Sequence, residues 1–130
     1  GKRLCTGSYT PLDEADSSEW FAACSNGGGD LFPYGRTFSA EACNGAAVSA
    51  GRTAPVGSRS ACVTDADVAD LSGNVAEWTD ECETTAEDAK CQLRGGSFLS
   101  DANPLRCATG YAVERLTALR FSGFRCCDDE

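Results

Sequence analysis

Apolar residues keep no steady helical or strand period over any long stretch of the chain, and glycines interrupt most runs, so the pattern predicts short elements joined by long ordered loops. One segment does hold a helical face. Asp13 to Cys24 follows Pro11, offers Asp13 or Ser17 as N-cap, sets Trp20, Ala23 and Cys24 on one side, and stops at Gly27-Gly28-Gly29. Two segments read as strands: Gln92 to Leu99, broken by Gly95-Gly96, and Gly123 to Cys127. Glycine inside a strand marks a bulge or a close backbone approach. Trp20 and Trp78 are expected in the core, as large aromatics usually are. No repeat, heptad or low-complexity linker divides the chain, and its 130 residues are the size of one domain, 1–130.

Cysteine changes the picture most. The nine cysteines give a density typical of disulfide scaffolds in oxidising compartments, which predicts an extracytoplasmic protein: secreted, periplasmic or at the cell surface. An odd count leaves one thiol without a partner inside the chain. Zinc is disfavoured, because the chain has neither a Cys-x-x-Cys pair nor a histidine. The net charge of -9 argues against nucleic acid and against anionic membrane surfaces as partners, and makes calcium the more natural guest. No apolar run approaches the ~20 residues of a membrane span.

Four segments then stand out together. They are Gly1-Lys2-Arg3-Leu4 with Glu19-Trp20, Phe32-Pro33-Tyr34-Gly35, Asp70 to Trp78 (DLSGNVAEW), and Arg94-Gly95-Gly96-Ser97-Phe98 with Gly123-Phe124-Arg125-Cys126. In this order and spacing the chain resembles the C-terminal part of formylglycine-generating-enzyme (sulfatase-modifying factor) domains. The resemblance implies an α+β, disulfide-rich, elaborated C-type-lectin-like fold with little regular secondary structure. Domains of that family carry further strands and a helix before the first of these segments. The chain is therefore expected to lack an N-terminal portion and to have either that segment or another chain as partner.

The resemblance also implies a disulfide between Cys24 and Cys107, and it pairs the cysteine at position 126 with one in the upstream helix. Local spacing favours Cys82 with Cys91 and Cys43 with Cys62, each closing a short loop, and Cys5 and Cys127 are counted among the half-cystines as well.

For function, the resemblance cuts two ways. Enzymes of the family bind copper(I) through two cysteines shortly after the segment equivalent to Arg94 to Phe98, and copper(I) selects soft thiolates. Here the first of those positions is Ser100 and the second falls near Leu105, so copper and catalysis are not expected and no catalytic residue is assigned. The family's calcium site coincides with Asp70, Gly73, Val75 and Glu77, two carboxylates and two backbone carbonyls suited to a hard cation. A second family calcium site would use Asn44 and Gly45, but its aspartate aligns with Val48, so Asn44 reads as a turn former. The expected function is a non-catalytic, calcium-stabilised binding or structural module of a larger protein or surface assembly, with a protein or glycan ligand. The alternative is a copper-dependent formylglycine-generating oxidoreductase acting on a sulfatase cysteine.

Overall fold

The computed structural model describes residues 1–129. Its strands are β1 (Lys2–Leu4), β2 (Ala76–Cys82), β3 (Lys90–Arg94), β4 (Gly110–Glu114), β5 (Ser122–Phe124) and β6 (Cys126–Asp128), with one α-helix, α1 (Glu19–Cys24). A four-stranded sheet has the order β4-β3-β2-β5; its first three members are antiparallel neighbours, and β5 returns to lie parallel to β2. A second sheet pairs β1 with β6 antiparallel, bringing Leu4 opposite Cys126. The arrangement is α+β, dominated by sheet and irregular loop. None of the described helices is long and apolar enough to cross a membrane.

The expected helix over Asp13 to Cys24 is broken in two: a 3-10 turn at Ala15–Ser17, then α1. The break falls at Ser18, which is extended (φ -147°, ψ 111°) and serves as N-cap in place of Asp13 or Ser17, its Oγ accepting from the Phe21 N–H at 3.1 Å. Tertiary docking explains the break. The carbonyl of Ser17 accepts from the Ser8 N–H at 2.8 Å, the Glu19 N–H donates to Thr6 at 3.1 Å, and the Ser18 hydroxyl also donates to Glu81 of β2. A continuous helix would forfeit these bonds to the N-terminal segment.

The strands also differ from expectation. β3 starts at Lys90 and ends at Arg94, because Gly95 and Gly96 both turn to positive φ. The stretch from Gly123 to Cys127 is split between β5 and β6, in different sheets, with Arg125 between them.

Alternation along the strands gives the larger sheet two distinct faces. The inner face presents Glu77, Thr79, Glu81, Gln92 and Arg94, all buried, toward α1. Arg94 has no exposed side-chain surface: it donates to Glu81 at 3.2 Å and to the carbonyls of Leu12 (2.7 Å) and Cys107 (3.0 Å), and lies 5.2 Å from the Trp20 ring centroid. Burial pulls the guanidinium pKa down, and the nearby Glu81 and Asp13 oppose that shift. Beneath this layer Trp20, Phe21, Cys24, Leu71, Cys5 and Cys107 form the main apolar cluster. The four disulfides are Cys5–Cys127, Cys24–Cys107, Cys43–Cys62 and Cys82–Cys91. Two of them run through that cluster, and the first ties the two ends of the chain together across 122 residues.

Candidate functional site

The outer face of the sheet is where the molecule offers a site. Trp78 and Leu93 are register partners there, as are Leu93 and Tyr111, and Trp78 and Phe124. Because β4 and β5 lie at opposite edges, residues 115–121 that join them must span the width of the sheet. A cavity of about 350 Å³ opens on this face between Ala76 of β2, Leu93 of β3, Tyr111 of β4, Phe121 of the crossing segment, and Gly96 and Ser100 of the loop after β3. Its floor is apolar and its rim exposes Tyr111 (62% accessible) and Leu99 (45%).

Among the described residues no acidic or basic side chain lines this cavity. Ser100, the residue at the first copper position, has its Oγ accepting from the Ser97 N–H at 2.9 Å, and its carbonyl accepts from Ala46 at 2.9 Å. Leu105 is buried, and Cys107 is fully buried in its disulfide with Cys24. Among the described residues Cys126 alone carries a free thiol, and it is exposed on β6. Copper(I) coordination by two thiolates does not fit this donor set. Nor does a serine nucleophile, which needs an activating base. What the cavity can do chemically is take up an apolar group.

Glu77 and Asp70, the two expected calcium carboxylates, are both engaged by protein donors. Arg125 reaches Glu77 with its Nε (2.6 Å to Oε2) and a terminal nitrogen (2.6 Å to Oε1), and that nitrogen also donates to the Ala69 carbonyl at 3.0 Å. The Trp20 indole N–H donates to the same carboxylate at 2.7 Å. Asp70 instead accepts from the Gly57 N–H at 2.7 Å. No cluster of three or more acidic, cysteine or histidine side chains is placed to hold a metal among the described residues. The set Asp70, Gly73, Val75 and Glu77 therefore does not fit a calcium ion, because its buried carboxylate already carries a cation.

Asn44 is buried at the centre of a tight turn closed by the Gly45 N–H on the Cys43 carbonyl at 3.0 Å, and it is also a pin between loops. Its side chain donates to the Arg52 carbonyl (3.1 Å) and to Asn74 Oδ1 (3.2 Å), while its own carbonyl accepts from the Asn74 N–H at 2.9 Å. Trp20 is in the core, 1% exposed, whereas Trp78 is half-buried on the outer face beside Phe124 and Leu4.

Two features of the site carry no local sequence signal. Arg125 was visible only as part of a motif, and the apolar cavity is assembled from three strands and a crossing loop that no local pattern joins.

Comparison with known proteins agrees with the geometry. Two solved structures share the fold over 97% of this chain: one titled "Crystal Structure of CarF" (25% identity, TM-score 0.71), and Treponema denticola variable protein 1 (20% identity, TM-score 0.76). The chain spans 47% of the length of each. A search of curated proteins gave no match. The profile of the sulfatase-modifying factor enzyme 1-like domain matches residues 15–130, and the chain belongs to that family.

Proposed function

We propose that this domain is a non-catalytic extracytoplasmic binding module, part of a larger protein or surface assembly, which grips an apolar group of a protein partner on the outer face of its larger sheet. The observation that carries this reading is the 350 Å³ cavity, which has apolar walls, an exposed Tyr111 at its rim, and neither a thiol pair nor an acidic or basic group inside. Pockets of this size that lack catalytic groups suit side-chain anchors, and rigid aromatics such as Tyr supply contact area at low entropic cost. A glycan would want more polar partners than this lining offers. Four disulfides fit an oxidising, extracytoplasmic setting. On this reading the exposed Leu4, Phe124 and Cys126 form a contact surface for the rest of a longer protein or for another chain.

Panning the immobilised domain against a displayed peptide library, with a glycan array in parallel, tests the proposal. Recovered peptides are expected to share an apolar anchor and to lose binding to Tyr111→Ala and Leu99→Asp domains. Glycan binding that survives both substitutions, or peptide binding indifferent to them, overturns it.

A further inference from the structure

We propose that Arg125 supplies, from within the chain, the positive charge at the turn between Ala69 and Glu77, so that this domain folds and remains stable without calcium. The strand pairing puts the guanidinium there. β5 runs parallel to β2 with Gly123 beside Glu77, and Arg125, two residues further on, points to the same side of the sheet. Gly123 presents no side chain between them, and a Cβ there would come within 2.9 Å of Val75. The arginine thus bridges both ends of the turn: the Ala69 carbonyl at 3.0 Å and both oxygens of Glu77 at 2.6 Å.

A second donor crowds the same carboxylate. Trp20 donates to Glu77 Oε2 alongside Arg125, and Glu77 is only 5% exposed. Calcium takes six to eight oxygen ligands at 2.3–2.6 Å, about the reach that the guanidinium nitrogens already occupy on this carboxylate. Entry of the ion would require expelling a bidentate arginine from a buried partner or holding two cations side by side. Asp70 is held separately, its Oδ2 accepting from the Gly57 N–H at 2.7 Å and not sharing the Arg125 contact.

Melting of chelator-stripped protein, with metal content verified by mass spectrometry, is compared with and without added calcium. Wild type is expected to give one melting temperature in both conditions. Arg125→Gln is expected to melt several degrees lower, because removing one partner of a buried ion pair strands the other, and to regain part of the loss as calcium is raised. A concentration-dependent calcium shift in wild type, lost in Glu77→Gln, overturns the proposal. Indifference of both proteins to calcium overturns the role of Arg125 as occupant of a cation position. Should Arg125→Gln fail to fold, terbium luminescence sensitised through Trp20 decides on wild type alone: none is expected, and a signal removed by Glu77→Gln overturns the inference.

Discussion

Gly73 and Gly95 meet back to back: the Gly73 N–H donates to the Gly95 carbonyl at 2.8 Å, and both residues stand at positive φ, 75° and 84°. A Cβ on Gly95 would lie 2.6 Å from the Leu71 carbonyl oxygen and 3.0 Å from the Trp20 ring; one on Gly73 would lie 2.7 Å from the Asn44 carbonyl oxygen. This contact joins the segment that ends in Glu77 to the loop that walls the cavity, so the two glycine motifs position both regions.

Gly95→Ala is expected to destabilise the domain by about 2 kcal/mol or more. A left-handed conformation costs an L-residue ~1–2 kcal/mol, and forcing a methyl against backbone and a buried indole adds overpacking strain of similar size. Denaturant unfolding with the disulfides intact measures it. A loss below about half a kcal/mol would mean that the Leu71 and Trp20 neighbours give way more easily than their packing implies.

The motifs were legible as words and not as contacts. Asp70 to Trp78, Arg94 to Phe98 and Gly123 to Cys126 stood out in the sequence, and in the fold they touch: Gly73 with Gly95, Asn74 with Phe98 (2.9 Å), Glu77 with Arg125. Residue types alone made Glu77 a ligand for calcium. Its charge is answered by an arginine 48 positions away, brought close by a parallel strand pair that no local periodicity announces. Ser18 is illegible for a related reason: helical propensity runs through it, and bonds to Thr6, Ser8 and Glu81 around it come from the tertiary structure. The cavity needs β2, β3 and β4 aligned in register before its walls exist.

Stability should fall as pH drops from about 4.5 to about 2, with Glu19 contributing. Arg3 grips Glu19 bidentately at 2.7 and 2.8 Å and the Thr6 N–H donates at 2.7 Å, which lowers its carboxyl from 4.5 to about 2. The folded state binds this proton more weakly than the unfolded chain, so the contribution is complete above the unfolded pKa and is lost as pH falls through the folded one. Glu19 is partly exposed and the pair is screened by solvent, so the effect is modest. Melting curves across this range should be flatter for Glu19→Gln than for wild type, most visibly at low salt. Parallel curves would remove the Arg3–Glu19 pair from the acid response.

Thiol counting decides the copper question. With Cys127 bound to Cys5 and Cys107 bound to Cys24, the native protein is expected to take up one equivalent of alkylating reagent, at Cys126, and nine after reduction and unfolding. One thiol cannot make the two-thiolate site that copper(I) prefers. The native protein, given copper, reductant, oxygen and a cysteine-containing sulfatase peptide, is accordingly expected to form no aldehyde above a no-protein control by mass spectrometry. Ser100→Cys alone should leave that result unchanged, since the next cysteine along the chain, Cys107, is sealed in a fully buried disulfide and position 105 is a buried leucine. The informative variant adds both thiols, Ser100→Cys with Leu105→Cys. Copper uptake by the double variant and not by either single one would show that the loop after β3 still has the geometry of a metal site and has lost only its ligands. Aldehyde formed by the wild-type protein would mean that its chemistry lies outside the outer-face cavity, with exposed Cys126 the first residue to substitute.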